Sequence, residues 1–332
     1  MQHCFRFVVR RALLAAAAAT ATLAVAAPAL PQGDGWPARP IRLVVNFPPG
    51  SSPDVLARAI SLPLQQALGQ PVIVDNRAGA SGMIGAEMVV KSPADGYTLL
   101  MTAGSTITTN PVVYSKIPYD TDKDLVPVAA AARIALFLVA RPTLPATNLR
   151  ELVAYMKANP GKLSYGSAGN ATGLHLAGEM LKSQAGVYAV HVPYKGASPA
   201  LQDLLAGQID YYFDPGIALQ QVRAGKLRML GVAVAHRSLA FPDVPTLSEA
   251  GLKGFDAGTT HGVYAPAGTP ADVIARLNRE INKVLGLPSV RSQIAIIAAE
   301  PTPMTPEQFQ AVMADDRKRY GTLIKERGIK AD

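Results

Sequence analysis

Pro40-Ile41-Arg42-Leu43-Val44-Val45-Asn46-Phe47-Pro48-Pro49-Gly50-Ser51-Ser52-Pro53-Asp54-Val55-Leu56-Ala57-Arg58 is the stretch that decides the fold class. Its apolar run, residues 41–45, reads as a buried strand, and a helical pattern opens at Asp54. Between them lies a loop of Pro, Gly and Ser. A strand that ends in such a loop and starts a helix aims several unbonded backbone N–H groups at one spot, where the helix dipole favours negative charge. The same pattern also describes an ordinary strand-to-helix turn, so the rest of the chain has to decide between the two.

Short apolar runs alternate with helix-period segments along most of the 332 residues. Strands are predicted at 41–46, 72–75, 97–102, 135–140, 188–192, 209–213 and 227–233, with a short one ending at Ser164-Tyr165. Helices are predicted at 54–68, 82–91, 149–158, 173–184, 198–206, 271–285 and 306–327, with Pro63 kinking or breaking the first. Asn148 and Glu151 have capping-box spacing, Asn159-Pro160-Gly161 is a stop, and Thr269-Pro270 is a start. This alternation argues an α/β fold with largely parallel sheets. Two long extended stretches, 125–141 and 255–266, interrupt it. Paired crossovers of this kind take a chain out of one domain and back, so the expected architecture is two-lobed: two mixed or parallel sheets joined by two hinge strands. Lobe 1 is expected to comprise 35–136 and 258–332, and lobe 2 residues 137–257.

The first 29 residues stand apart. Arg6, Arg10 and Arg11 precede an Ala/Leu/Val run over 12–26, the pattern of a cleaved signal peptide and too short to span a bilayer. Export is therefore expected, by the general or the twin-arginine route, to a periplasmic location. Cys4 leaves with the leader, so disulfides, thiol catalysis and Cys-ligated metals are excluded from the mature chain. Cleavage also removes three positive charges from the formal +8. The remaining Lys and Arg are scattered, and nothing resembles the basic stripe of a nucleic-acid-binding protein.

A second loop repeats the logic of the first. Gly166-Ser167-Ala168-Gly169-Asn170-Ala171-Thr172-Gly173 follows a strand and leads into a helix, with hydroxyl and amide side chains at Ser167, Asn170 and Thr172. Gly79-Ala80-Ser81-Gly82 and Thr102-Ala103-Gly104-Ser105 are further candidates, and open α/β sheets bind ligands at such strand ends. Enzyme signatures are missing. Ser167 lacks the flanking glycines of a nucleophile elbow, and the glycines from Gly79 to Gly85 do not have dinucleotide spacing. No phosphate-binding loop occurs. His175 and Glu179, four residues apart, read as a structural pair rather than metal ligands, and His191 and His261 as structural histidines. No catalytic constellation, cofactor or metal site emerges.

The motifs 40–50 with Asp54 and Ala57-Arg58, Val74-Asp75-Asn76-Arg77-Ala78-Gly79-Ala80-Ser81-Gly82, Asp95-Gly96-Tyr97-Thr98-Leu99-Leu100, and Tyr165-Gly166-Ser167-Ala168-Gly169-Asn170 occur in that order. His191-Val192-Pro193-Tyr194-Lys195-Gly196, Ala224-Gly225-Lys226-Leu227-Arg228, Pro242-Asp243-Val244-Pro245-Thr246 and Ala265-Pro266-Ala267-Gly268-Thr269-Pro270 follow. Together they resemble the Bug or TctC-like family, solute receptors of tripartite tricarboxylate transporters. The resemblance implies a type II periplasmic binding protein. Such a protein is a monomer and not an enzyme. It captures a dicarboxylate, tricarboxylate, acidic amino acid or aromatic acid, and delivers it to integral membrane permease subunits or, in some relatives, reports to a sensor kinase. It implies capture by backbone donors and water, through Pro49, Gly50, Ser51, Ser52 and Asp54 on one lobe and Ser167, Ala168, Gly169, Asn170 and Thr172 on the other. Asp214 matches an acidic position facing the cleft, open to a ligand amine or hydroxyl. Ser51 stands where the family has a second glycine. Thr260 replaces an aromatic residue, which is expected to widen the cleft. A periplasmic serine hydrolase using Ser167 or Ser51 is the rival from another class.

Overall fold

The structure is a computed structural model that describes residues 35–327 and Ile329. The leader, with Cys4, lies outside the described residues.

β1 (Ile41–Val45) runs into α1 (Ser52–Leu68), then β2 (Val72–Asn76), α2 (Met83–Val90) and β3 (Thr98–Thr102). β1 lies between β2 and β3 and is parallel to both, as two successive strand–helix–strand crossovers require. Helix α1 does not break at Pro63. Leu56, Ile60, Leu64 and Leu68 form one buried stripe on both sides of the proline, and that packing outweighs the lost backbone bond. Two short helices, α3 (Gly104–Thr108) and α4 (Asn110–Val113), follow where the sequence reads as loop. Their threonines are poor helix formers, but Thr108 and Thr109 turn their hydroxyls back onto the carbonyls of Gly104 and Ser105 inside the protein.

The first long extended stretch is two strands, β4 (Leu125–Ile134) and β5 (Phe137–Ala140), in different sheets. After it come α5 (Leu149–Ala158), β6 (Ser164–Ser167), α6 (Gly173–Ala185), β7 (Val190–Pro193), α7 (Ala197–Leu205), β8 (Tyr211–Asp214), α8 (Leu219–Arg223) and β9 (Arg228–Val232). At α5, Asn148 Oδ1 accepts the Glu151 amide, as the capping spacing predicted, while Glu151 reaches back to Thr147. The chain returns through β10 (Thr259–Pro266), α9 (Ala271–Leu285), α10 (Pro288–Ala295), β11 (Glu300–Pro301) and α11 (Pro306–Arg327).

Among the described residues the strands form two mixed sheets, ordered β11-β4-β10-β3-β1-β2 and β7-β6-β8-β5-β9. They give a two-lobed α/β fold. The larger sheet is completed by β10, which inserts antiparallel between β3 and β4. The smaller sheet encloses a core rich in aromatic residues, including Tyr165, Tyr211, Tyr212, Phe137 and Phe213. A separate apolar cluster joins the lobes through Val113, Ala171, Leu176, Tyr320 and Ile324. Helix α11 also grips the returning crossover: Arg319 donates to the carbonyls of Asp256 and Gly258, and the Tyr320 hydroxyl donates to Gly258.

Candidate functional site

The carboxyl ends of β1, β3, β6, β7 and β8 face a cavity between the two sheets. Antiparallel β10 brings its amino-terminal residues to the same edge, because Gly262 pairs with Thr102. The cavity encloses about 30 Å³ and is lined by Phe47, Ser51, Ser52 and Pro53, then by Ala103 and Ser105, and by Thr259 and His261. From the second lobe come Ala168, Thr172, Gly173, Leu174, Ala197 and Pro215, with Leu136 at the crossover. No charged side chain is among these described lining residues.

Besides the single-turn α3, three longer helices among the described residues start at this cavity, α1 from one lobe and α6 and α7 from the other, and none has a side-chain cap on its first-turn N–H groups. Ser51 is buried with its hydroxyl unpartnered. Free donors on both walls and positive helix ends make the cavity favourable for anionic groups without a salt bridge.

Of the residues singled out in the sequence, Ser51, Ser52, Ala103, Ala168 and Thr172 line the cavity. The others stand behind or beside it. Asp54 is a buried brace: it accepts from the Gly50 amide at 2.9 Å, from Asn76 at 2.9 Å and from Arg58 at 3.0 Å. Burial alone would raise its carboxyl, but these hydrogen bonds outweigh it and hold the group below the ordinary carboxylate value. Thr102 is buried behind Ala103.

Pro49, Ser81, Gly169 and Asn170 are where the lobes meet. Ser198 donates to the Pro49 carbonyl at 3.2 Å, Tyr114 to the Asn170 carbonyl at 3.3 Å, and Thr109 to the Ala171 carbonyl at 2.5 Å. A Cβ on Gly169 would sit 2.6 Å from Ser81 Oγ.

Two expectations need correction. Asp214 does not offer a carboxylate to the cleft. It is fully buried and accepts from the Tyr212 hydroxyl and from the amides of Gly216 at 2.9 Å and Ala218 at 3.0 Å. Burial pushes its carboxyl up to about 7 against those bonds. Nor does Thr260 widen the cleft. Thr259 and His261 line the cavity, and strand alternation sends Thr260 to the opposite face.

His261 is the residue the sequence reading undervalued. Its Nε2 shares a 2.9 Å hydrogen bond with Ser52 Oγ, and its Nδ1 is buried without a partner. Burial holds the ring at about 3, so it is neutral. The alternation of β10 was the signal that would have found it. Ala197 follows the same strand–loop–helix logic as the loops that were recognised.

The family model for the tripartite tricarboxylate transporter family receptor, TctC, matches residues 56–329. The chain belongs to this family of receptors. Among curated TctC relatives, protein BugT of Bordetella pertussis (strain Tohama I) is 40% identical over 313 residues, covering 93% of this chain and 95% of BugT. Rpa4515 of R. palustris, solved with adipate, superposes with a TM-score of 0.86 at 35% identity, covering 89% of this chain and 99% of that one. MatC (Rpa3494) from Rhodopseudomonas palustris, solved with bound malate, gives 0.83 at 31% identity, covering 87% and 100%. The TctC fold and the two-lobed α/β architecture expected from the sequence therefore agree.

Proposed function

We propose that this chain is a periplasmic receptor that captures a small carboxylate between its lobes for the membrane permease subunits of a tripartite tricarboxylate transporter. The observation that carries the reading is the convergence of uncapped helix starts from both lobes on a cavity with no charged side chain. Carboxylate oxygens then accept backbone N–H donors from the helix starts and hydroxyl donors, Ser51 and Ser52 among them, while Thr172 keeps its hydroxyl on the Gly169 carbonyl. Lobe 1, taken as 35–136 with 258–332, closes on lobe 2, taken as 137–257, about the crossovers near Ala135-Leu136 and 257–258. Two solved relatives hold dicarboxylates, adipate in one and malate in the other.

A thermal-shift screen of mono-, di- and tricarboxylates, with calorimetry on the hits, tests the reading, because a ligand that binds only the folded state raises the melting temperature. No response to any carboxylate overturns it.

The hydrolase alternative gains two histidines, since His191 Nε2 lies 2.7 Å from Ser167 Oγ and His261 lies beside Ser52. Ser51, the other serine considered, has no such neighbour. Both imidazoles are held near 3, where they are poor bases, and His261 Nδ1 has no carboxylate to orient it. We therefore read both pairs as non-catalytic. Turnover of nitrophenyl esters by the purified chain would count against that.

A further inference from the structure

His175 and His191 read from the sequence as structural, yet both end on the binding loop 167–172. Their rings stack with centroids 4.0 Å apart and 11° between planes, and His191 stacks in turn on Tyr165 at 4.9 Å. His191 Nε2 is hydrogen-bonded to Ser167 Oγ at the start of the loop. His175 Nδ1 accepts the Ala171 amide at 3.1 Å at its end. Ser167 Oγ closes a tight ring with the amide and carbonyl of Gly169, whose carbonyl also accepts from Thr172.

Ala171 is the odd residue of this loop, because its φ is +62°, a conformation that L residues other than Asn and Asp rarely adopt. Its methyl packs in the apolar cluster that joins the lobes, and its carbonyl accepts the Thr109 hydroxyl of the opposite lobe. A glycine would adopt this backbone more readily but would leave that cluster without its methyl. The amide is fixed by His175 and the carbonyl by Thr109, so the two bonds hold the peptide units on either side of the Ala171 Cα and with them its φ and ψ.

We propose that His175 and His191 are positioning residues for ligand binding, a stacked imidazole pair that sets the 167–172 loop in the conformation in which Ala171 can receive the opposite lobe. The inference rests on the cleft being the binding site. It requires a neutral His175 whose Nδ1 is an acceptor, with its proton on Nε2 towards Glu179, 3.8 Å away. Glu179 is engaged by Lys182 at 2.7 Å and by the Tyr165 hydroxyl at 2.6 Å, so its charge is already shared. Burial, the leading influence, lowers His175 to about 4 and keeps it in that form at neutral pH.

Two variants and one spectrum test this. His175→Phe keeps a flat ring for the stack but removes the acceptor; His175→Asn places a carbonyl oxygen where Nδ1 stood. With adipate and malate as probes, His175→Phe is expected to weaken binding about tenfold, and His175→Asn to recover most of that loss. Circular dichroism and melting serve as the folding control. Equal affinities for wild type, His175→Phe and His175→Asn overturn the proposal. Imidazole ¹⁵N NMR of the wild type is an independent test: Nδ1 of His175 must be unprotonated and coupled to the Ala171 amide, and a protonated Nδ1 also overturns the proposal. If the wild type binds neither probe, the choice of probe ligand or the cleft reading fails, and the spectrum alone decides the positioning role.

Discussion

Gly196 makes the closed arrangement testable at one atom. It caps α7 on one lobe with φ +148° and ψ 169°, and a Cβ there would lie 2.5 Å from Cδ and 2.6 Å from Cγ of Pro48 on the other lobe. A proline ring cannot rotate away, and an ordinary carbon contact needs about 3.5 Å, so Gly196→Ala must hold the lobes about 1 Å apart at this point. An extra ångström takes the Ser198–Pro49 bond, now 3.2 Å, and the Tyr114–Asn170 bond, now 3.3 Å, out of hydrogen-bond range. Two such bonds are worth about 2 kcal/mol together, or about a thirtyfold rise in Kd for a carboxylate held by closure. The φ/ψ pair is one that only glycine adopts easily, so the variant also loses about 1–3 kcal/mol of folding stability in either lobe arrangement. Gly225→Ala separates the two effects, since Gly225 has φ +70° but open space around it. It should lower the melting temperature and leave Kd alone. Isothermal calorimetry with the strongest carboxylate hit, alongside melting curves, reads both. If Gly196→Ala melts earlier yet binds within about twofold of wild type, the contact between Pro48 and Gly196 does not belong to the ligand-holding state.

Thr109→Val keeps the shape of a buried side chain but removes its hydroxyl from the Ala171 carbonyl; calorimetry should show Kd rising about five- to tenfold with an unchanged circular dichroism spectrum. Asp54→Asn withdraws the buried carboxylate that holds the Gly50 amide and Arg58, and urea unfolding should show a loss of about 1–3 kcal/mol. Burial keeps His175 at about 4 and His191 and His261 at about 3, all below the ordinary 6.5. The unfolded chain therefore takes up protons first, so these residues cost nothing above pH 6.5 and destabilise the fold increasingly as the pH falls from 6.5 to about 4 for His175 and about 3 for His191 and His261. Urea midpoints that rise over the same acidification would contradict this.

The parts of the fold legible in the sequence were those set by local pattern. The 41–58 stretch gave a strand, a loop and a helix because apolar run, Pro/Gly/Ser break and helical period follow one another without ambiguity. Ser51, Ser52, Ala168 and Thr172 were found through the same pattern. At Pro63 a break did not follow, because local propensity argues for one whereas the stripe of Leu56, Ile60, Leu64 and Leu68 is satisfied only by a continuous helix. Asp214 and Thr260 misled for another reason. Whether an acid faces a cleft or its own loop, and which side of a strand faces in, depends on tertiary register that adjacent residues do not record. For His261 the alternation of β10 was a usable signal, but its contact with Ser52, 209 residues away, was not legible in adjacent residues.

The place of β10 has a consequence for the order in which the molecule can assemble. Without it the larger sheet is two fragments, β3-β1-β2 and β4 with its edge strand, and nothing else pairs β3 with β4. The five strands of the smaller sheet, by contrast, all lie between Phe137 and Val232. A chain emerging from its amino end can therefore complete its second sheet before its first, and the segment synthesised earliest waits longest for its partner. Truncation before Thr259 should leave the smaller sheet foldable and the larger one exposed along both β3 and β4, the kind of open strand edge that draws chains into aggregates.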